Sequence, residues 1–244
     1  MPRRRAPASR WLAVAVAALL AAGCAPQSVT EEGRAVYNLY NLFLYIAAVV
    51  FVVVSGLVIW SVVRYRRRDD ELPKQTHGNN RLELTWTLIP TVIVLVLFVF
   101  TMQAQNKVLD QSGEADVDIT VTAFQWSWRF TYEGTGAEIV GSPGTIPELV
   151  VPVGQTIRVK LVSADVVHSF YVPQTLFKRQ AIPGTENEFD LTFEKVGLYH
   201  GQCTQFCGLQ HPDMVFRVRV VEQGAYQSWL AAATRRGSAG QPGT

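Results

Sequence analysis

The side chains best suited to metal chemistry lie close together near the C-terminal end of the sequence. Cys203, Cys207, His211 and Met214 follow one another at intervals of four, four and three residues, and His168 lies 35 residues before the first of them. One thiolate, two imidazoles and a weakly bound thioether form the ligand set of a mononuclear copper site that transfers electrons. The second thiolate exceeds what one copper ion needs, whereas two thiolates can bridge two copper ions. The pattern therefore predicts a redox-active copper site, and two ions make use of every ligand.

Two other uses of the same residues stay open on the sequence alone. Cys203 and Cys207 can form a disulfide bond in an oxidising compartment, and two cysteines with two histidines can hold a structural zinc ion. A disulfide leaves His168, His211 and Met214 unexplained, and a structural zinc site does not need a methionine. The pattern therefore favours copper over both alternatives.

The other two histidines are not predicted to be ligands. His200 lies only three residues before Cys203, but Leu198 and Tyr199 indicate a strand that leads into the ligand loop. We therefore predict an outer or surface position for His200. His77 lies in a basic loop and is predicted to be solvated.

The composition divides the chain into two parts of opposite charge. Of the 244 residues, 17% are charged and 48% are apolar, whereas soluble domains carry about 25% charged residues. This excludes a disordered chain and argues against an ordinary soluble enzyme. Lys and Arg concentrate in the first 107 residues, while residues 108–230 contain 14 Asp/Glu against 8 Lys/Arg, a net charge of −6. With an overall net charge of +2, no nucleic-acid partner is expected.

Two long uncharged runs in the first part predict membrane-spanning helices. Residues 42–63 and 85–102 contain no charged residue, and a helix of about 20 residues crosses the roughly 30 Å hydrocarbon core of a bilayer. We place the two spans at 42–63 and 85–105, with Pro90 in the first turns of the second, where its missing N–H does least harm. A buried core helix is a poor alternative for two such runs about 20 residues apart.

The flanking charges predict the orientation of these two helices. Positively charged loops stay in the cytoplasm, so the loop 64–84 is cytoplasmic, and the segment 24–41 and everything after Lys107 lie outside. The protein is therefore expected in a bacterial plasma membrane with both ends on the outer side. The basic residues of the loop are Arg64, Arg66, Arg67, Arg68, Lys74 and Arg81.

The first residues are typical of a secretion signal. An arginine-rich start is followed by 12 apolar residues, 11–22, which are too few to span a bilayer. The small residues before Cys24 resemble a bacterial lipoprotein cleavage site, although Ala21 stands where such sites prefer leucine. We predict a signal peptide over 1–23 and lipidation of Cys24, with cleavage without a lipid as the alternative.

The second part of the chain predicts a β-domain over residues 108–230. Apolar and polar residues alternate in 117–122, 156–161, 188–193 and 215–220, and Gly- and Pro-rich turns separate these segments. A chain of about 120 residues in short strands is typical of a β-sandwich or barrel. A helical pattern occurs only at 225–234, and the Gly- and Pro-rich tail 235–244 is predicted to be disordered.

This order of elements resembles subunit II of haem–copper cytochrome c oxidase over nearly the whole mature chain, from Tyr37 to Leu230. The resemblance rests on the C-x3-C-x3-H-x2-M motif at 203–214, and also on the segments 125–128, 165–169 and 181–184. It implies a two-helix transmembrane hairpin followed by an all-β, cupredoxin-like Greek-key sandwich or barrel. It also implies a binuclear copper centre called CuA.

The resemblance implies a role for each residue of the copper cluster. On this resemblance, Cys203 and Cys207 bridge the copper ions, and His168 and His211 are terminal ligands. The Met214 thioether and the Gln205 backbone carbonyl are weak ligands. Many relatives have a glutamate in place of Gln205 whose carboxylate also binds Mg²⁺ at the boundary with subunit I, and a neutral amide is a poorer ligand for that hard cation. A magnesium site is therefore doubtful here.

Two further residues receive roles from the resemblance. Trp126 matches the surface residue through which cytochrome c passes its electron, while Trp128 also fits a core position of a strand. Glu83 matches a carboxylate at the cytoplasmic entrance of a proton pathway, although an exposed interfacial glutamate has the same sequence appearance. Asp165 is a candidate contact for a basic cytochrome, because the β-domain is acidic.

The function implied is that of the electron-accepting subunit of an oxidase. Cytochrome c would donate electrons to the copper centre, and haem in subunit I would reduce oxygen to water with proton pumping, assisted by the other oxidase subunits. Two alternatives are a quinol oxidase subunit II, whose copper ligands are lost, and a membrane-anchored copper carrier or assembly factor. The intact ligand set argues against the first, and the two membrane helices with Trp126 argue against the second.

Overall fold

The computed structural model describes residues 27–67, 75, 77–111, 113–142 and 144–239. The predicted signal peptide and Cys24 lie outside the described residues. Within this part of the chain, residues 39–97 form one compact unit, and residues 27–38 together with those from Phe98 onwards form a second.

Two long apolar helices dominate the N-terminal half. Helix α1 spans Glu31–Arg64 and helix α2 spans Asn80–Leu109. Their large apolar side chains are exposed, as expected of helices that face lipid. Both helices contain the predicted spans and extend beyond them at each end.

The start of α2 corrects the predicted position of Pro90. The side-chain Oδ1 of Asn79 accepts hydrogen bonds from the backbone N–H groups of Arg81 and Leu82, each at 3.2 Å. This cap starts the helix five residues before the uncharged run. Pro90 therefore lies inside α2 rather than in its first turns.

The C-terminal domain is a sandwich of two five-stranded sheets. The strands are β1 (Val117–Phe124), β2 (Ser127–Tyr132), β3 (Ala137–Val140), β4 (Glu148–Pro152), β5 (Thr156–Ser163), β6 (His168–Val172), β7 (Phe177–Ala181), β8 (Asn187–Thr192), β9 (Gly197–Cys203) and β10 (Val215–Val221). The sheet orders are β3-β2-β1-β5-β8 and β4-β10-β9-β6-β7. This confirms the predicted fold class.

Alternating side chains from both sheets form the core between them. The four alternating segments of the sequence are confirmed as strands. In β1, β5 and β10 every second residue is buried, whereas β8 buries three consecutive residues. An aromatic cluster lies at the centre, where the Trp128 ring contacts Phe170 edge-on at 5.9 Å and Phe216 at 5.1 Å. Trp128 is fully buried, which confirms the core interpretation of that residue.

The free edge of β4 is covered by a side chain from the other sheet. β4 pairs only with β10, so one side of its backbone has no neighbouring strand. The buried hydroxyl of Tyr132 donates to the Val150 carbonyl at 2.9 Å and accepts from the Val150 N–H at 2.8 Å. One hydroxyl thus satisfies two buried backbone groups that otherwise have no strand partner.

Replacing Tyr132 by phenylalanine is expected to lower the free energy of unfolding by about 2–4 kcal/mol, because both groups of Val150 would stay buried without a partner. Tyr199→Phe is the matched control. The Tyr199 hydroxyl donates to the Lys195 carbonyl at 2.8 Å in an exposed position, and water can replace that bond. Chemical denaturation of the chain in detergent measures both variants, and equal losses would contradict the assigned role of Tyr132.

Residues 27–38, which include the start of α1, belong to the same compact unit as the β-domain, and this corrects the predicted domain boundaries. Thr30 forms a β-bridge with Phe193, and the backbone N–H of Glu194 donates to the Val29 carbonyl at 2.9 Å. The Arg34 guanidinium lies 2.6 Å from the Glu194 carboxylate. Residues 27–38 therefore pack on the same compact unit as residues more than 150 positions later.

A C-terminal helix closes the described chain. Helix α3 spans Gln223–Ala239, and Trp229 packs edge-on against the Tyr132 ring at 5.0 Å. The predicted disorder from residue 235 is wrong for residues 235–239, because the helix continues through them. Residues 240–244 lie outside the described part.

Candidate metal centre

Two strand pairings bring the predicted ligands together at one end of the sandwich. β6 begins at His168 and pairs with β9, which ends at Cys203. β9 also pairs with β10, and the backbone N–H of Cys203 donates to the Met214 carbonyl at 2.9 Å. Cys203 is therefore the last residue of β9, whereas the sequence predicted that it lies in the loop with Cys207, His211 and Met214. The loop between β9 and β10 carries Cys207, and a 3₁₀ turn at its end begins with His211.

The five side chains form one cluster around the two sulfur atoms. The Sγ atoms of Cys203 and Cys207 are 4.0 Å apart. His168 Nδ1 lies 3.9 Å from the Cys203 sulfur, and His211 Nδ1 lies 3.5 Å from the Cys207 sulfur. Met214 Sδ is 3.7 Å from the Cys207 sulfur. The structure thus brings together all five side chains that the sequence selected.

The backbone carbonyl of Gln205 joins the same cluster. It lies 3.2 Å from the Cys203 sulfur, whereas Met214 Sδ lies 3.7 Å from the Cys207 sulfur. The side chain of Gln205 points elsewhere, since its Oε1 accepts from Gln180 Nε2 at 3.4 Å. The backbone and the side chain of this residue therefore have separate partners.

Four of the five side chains of the cluster are buried, and the fifth, His211, is partly exposed. The relative exposures are 0% for His168, 1% for Met214, and 6% and 4% for Cys203 and Cys207. His211 is half-buried and contacts the Phe206 ring at 5.8 Å. Phe206 is 77% exposed, so the cluster lies close to the protein surface on the His211 side.

The electrostatics of the metal-free cluster separate the two thiols. Burial opposes ionisation of Cys203, but hydrogen bonds, led by the one with His168, outweigh it and lower the pKa of this thiol to about 7. Burial, followed by repulsion from Cys203, raises the pKa of the Cys207 thiol to about 12. A cation that binds both sulfurs must therefore displace a proton from Cys207.

The sulfur separation fits a shared metal and not a disulfide. Both cysteines are free thiols, and a disulfide requires an S–S distance of about 2.05 Å. Two metal–sulfur bonds of about 2.3 Å each span at most about 4.6 Å, which accommodates the observed 4.0 Å. Among the described residues, His168, Cys203 and Cys207 are the only group of three His, Cys, Asp or Glu side chains with ligand atoms within 4.8 Å of one another.

Asp165 orients His168 from behind. One carboxylate oxygen lies 2.8 Å from His168 Nε2, and the other accepts the backbone N–H of Gln125 at 2.6 Å. Burial opposes the charge of this carboxylate, but hydrogen bonds led by that with His168 outweigh it and lower the pKa of Asp165. A carboxylate that hydrogen-bonds to the nitrogen facing away from the metal fixes the ring of a ligating histidine. Asp165 is placed to orient His168 in this way, a role that the sequence did not indicate.

Trp126 lies beside the cluster with part of its ring exposed. It is half-buried in the turn between β1 and β2, and its Nε1–H donates to the Cys207 carbonyl at 3.2 Å. An open groove of about 750 Å³ runs past this ring and is also lined by Gln210 and Asp213. Trp126 therefore connects a surface groove directly to the backbone of a predicted ligand.

The other residues considered from the sequence lie apart from the cluster. His200 is an exposed residue of β9, opposite Arg217, as predicted, and His77 is exposed. Glu83 lies exposed in the first turn of α2, in the other compact unit. Its predicted role in proton uptake stays a prediction, as does lipidation of Cys24.

Gln125 is the residue that the sequence reasoning missed. Its side-chain Nε2 donates to the Cys207 carbonyl at 2.7 Å, across 82 positions of sequence. Its position next to Trp126 was the only available signal, and a polar residue in a turn has no other distinguishing feature in the sequence.

Fold and site together define a class of protein. A β-sandwich preceded by two apolar, membrane-spanning helices carries a buried Cys/His/Met cluster that is suited to a soft, redox-active metal.

Comparison with known proteins identifies the family. Residues 23–104 match the family profile of the transmembrane domain of cytochrome c oxidase subunit II, and residues 144–221 match that of its periplasmic domain. The probable cytochrome c oxidase subunit 2 of Streptomyces avermitilis is 34% identical over 88% of this chain and 80% of that protein. The cytochrome c oxidase subunit 2 of Alkalihalophilus pseudofirmus is 32% identical over 91% of this chain and 68% of that protein.

A solved structure is similar to the β-domain. The crystal structure of the periplasmic domain of subunit II of cytochrome oxidase (CoxB) of Bradyrhizobium japonicum is 35% identical, with a TM-score of 0.48 over 52% of this chain and 99% of that chain.

The chain belongs to the cytochrome c oxidase subunit II family. It is a subunit of an oxidoreductase complex that assembles with other oxidase subunits. Two membrane-spanning helices anchor it, and its C-terminal domain lies outside the cytoplasm.

Proposed function

We propose that this chain is the electron-accepting subunit of a cytochrome c oxidase and that its cluster holds two copper ions. Cytochrome c would supply the electrons, and haem in subunit I would receive them for the reduction of oxygen to water with proton pumping. The observation that carries this proposal is the pair of buried free thiols 4.0 Å apart, surrounded by two imidazoles, a thioether and a carbonyl. When bound, the copper pair would supply a one-electron store shared over two metals.

The chain's own residues explain why copper suits this site better than zinc. Cys203 and Cys207 would hold the ions through their thiolates, His168 and His211 would bind through their imidazoles, and Met214 with the Gln205 carbonyl would be weak ligands. Soft sulfur stabilises Cu(I) and imidazole stabilises Cu(II), so the set tolerates both oxidation states. A zinc site built from two Cys and two His does not require the thioether of the buried Met214, whose sulfur lies 3.7 Å from the Cys207 sulfur.

The rigidity of the cluster also supports electron transfer over copper delivery. Strand pairing holds His168 in β6 and Cys203 in β9, the Met214 carbonyl accepts the backbone N–H of Cys203 at 2.9 Å, and Asp165 contacts the His168 ring at 2.8 Å. A site whose ligands stay in place between oxidation states needs little rearrangement for each electron. A carrier that releases its copper needs ligands that can open.

Metal content tests this proposal. The full chain, purified in detergent and supplied with copper, should hold two ions and show the visible absorption and electron paramagnetic resonance spectrum of one unpaired electron shared by two copper ions. One exchangeable ion would indicate a carrier, no copper would indicate a structural subunit, and bound zinc would contradict the proposal as well.

The acidic β-domain predicts how the donor binds. With a net charge of −6 over residues 108–230, it attracts a basic cytochrome, and attraction between exposed charges is screened beyond about 8–10 Å at physiological salt. The rate of electron uptake from a basic cytochrome c should therefore fall as ionic strength rises. Stopped-flow kinetics over a salt series measures this, and a rate independent of salt would point to a tethered or apolar donor.

The neutral side chain of Gln205 does not suit a magnesium site. The Gln205 side chain is a neutral amide whose oxygen already accepts from Gln180. A hard dication prefers carboxylate oxygen, and losing the charge attraction weakens binding in a partly buried position.

Gln205→Glu should raise the Mn²⁺ or Mg²⁺ occupancy of the assembled oxidase and leave its copper content unchanged, because the proposed copper contact is the backbone carbonyl. Manganese titration followed by electron paramagnetic resonance measures the first effect. Gln210→Glu places the same charge on an exposed residue of the same loop and serves as the control. Tight stoichiometric magnesium in the unmodified complex, unaltered by Gln205→Glu, would show that this interpretation is wrong.

A further inference from the structure

The turn between β1 and β2 binds the ligand loop at one atom. The Cys207 carbonyl oxygen accepts two hydrogen bonds, from Gln125 Nε2 at 2.7 Å and from Trp126 Nε1 at 3.2 Å. A carbonyl oxygen has two lone pairs and can accept both. The shorter bond, and therefore the tighter restraint, comes from Gln125.

The same turn also reaches the opposite side of the cluster. The backbone N–H of Gln125 donates to Asp165 at 2.6 Å, and Asp165 contacts His168 Nε2 at 2.8 Å. Gln125 therefore contacts one predicted ligand directly and a second through one side chain. These two ligands lie 39 positions apart in the sequence and on different elements.

The backbone beside Cys207 is shaped to admit this contact. Gly208 has a φ of +121°, and a Cβ atom at this position would lie 3.1 Å from both Gln125 Nε2 and Trp126 Nε1. Glycine is the residue that adopts such a backbone and allows close approach of another segment. The hydrogen-bonded contact is thus supported by the geometry of both partners.

We propose that Gln125 is a positioning residue of the metal centre. Its side-chain amide holds the Cys207 carbonyl, and so fixes the Cys207 sulfur and the contact between that carbonyl and Trp126. Partners that orient metal ligands in this way set the electronic structure of a site as well as its affinity. The effect on the copper centre rests on the proposed function, whereas the effect on the ligand loop does not.

The first test uses the metal-free full chain and the variant Gln125→Met, which keeps a side chain of similar length and removes both N–H donors. Cys207 should react with iodoacetamide about tenfold faster than in the unmodified chain, because the loop loses the shorter of the two hydrogen bonds to the Cys207 carbonyl and opens more often. Gln180→Met is the matched control, since Gln180 lies near the cluster but contacts the Gln205 side chain. Mass spectrometry of the labelled peptides gives the rate at each cysteine.

The second test uses the copper-loaded chain. Gln125→Met should retain copper but shift the reduction potential and the visible bands, and it should slow electron uptake about tenfold. Gln180→Met should match the unmodified chain in all three. Gln125→Glu, which has the size of glutamine and places an acceptor against the carbonyl, repeats both tests if Gln125→Met does not fold.

The outcomes separate the two proposals. Equal labelling of Cys207 in the unmodified chain and the Gln125 variants would overturn the positioning role, whether or not the chain holds copper. Equal effects of the Gln125 and Gln180 variants would overturn it too. Absence of copper from the unmodified chain would overturn the proposed function and leave the labelling result to decide the role of Gln125.

Discussion

Replacing Cys203 by serine is expected to reduce the copper content of the full chain from two ions to at most one. A serine hydroxyl cannot bridge two copper ions as a thiolate does, and only the Cys207 sulfur would remain, 3.5 Å from His211 Nδ1 and 3.7 Å from Met214 Sδ. These three side chains resemble the ligands of a mononuclear copper site. Electron transfer to the assembled oxidase should fall by more than about 100-fold, since this change removes a ligand and not an outer partner.

Metal analysis and electron paramagnetic resonance measure this change directly, because a single copper ion and a shared pair have different spectra. Cys24→Ser is the matched control, as it makes the same substitution at the one other cysteine of the chain and should leave two copper ions in place. Two ions retained in Cys203→Ser would contradict the bridging role of Cys203.

Replacing Trp126 by alanine is expected to slow electron uptake from cytochrome c by about 100-fold while the copper content and spectrum stay unchanged. The half-buried indole is the only described aromatic side chain that hydrogen-bonds to the Cys207 backbone, and it lines the open groove beside the cluster. Its removal lengthens the path from a docked donor to the Cys207 sulfur. Gln125 still holds the same carbonyl at 2.7 Å, so the loop should keep its shape.

Stopped-flow reduction of the oxidase by cytochrome c measures the effect, and Phe206→Ala provides the comparison. Phe206 is 77% exposed and packs on the His211 ring at the other edge of the cluster. If Phe206→Ala slows uptake as much as Trp126→Ala does, the donor approaches through the His211 edge and the assignment of Trp126 is wrong. Trp126→Phe separates the loss of the N–H group from the loss of the ring.

Features that depend on residue type and on residues adjacent in the chain were predictable from the sequence. An uncharged run long enough to cross a bilayer has few other uses, so both membrane helices followed from composition alone. Alternation of apolar and polar residues identified β1, β5, β8 and β10; three of them, β1, β5 and β10, bury every second residue against the core. The ligand types followed from chemistry, since two thiols, two imidazoles and a thioether have few common functions.

The ends of the helices were less predictable, for a physical reason. Polar caps such as Asn79 start a helix before its apolar run begins, so hydrophobicity marks only the buried or lipid-facing middle. Similarly, α3 extends past the apolar pattern into a Gly- and Ser-containing tail. Apolar periodicity therefore located these elements but not their bounds.

The tertiary structure decided which distant segments meet. The attachment of residues 27–38 to the β-domain depends on a β-bridge between Thr30 and Phe193. The Tyr132 hydroxyl hydrogen-bonds to the Val150 backbone in the opposite sheet. The contacts of Gln125 with Asp165 and with Cys207 arise in the same way. Residue types and local patterns were enough to predict the candidate ligands and the membrane anchor. How the candidate ligands are held depends on the packing of strands and turns, because hydrogen bonds across 40 to 82 positions leave no periodic trace in the chain.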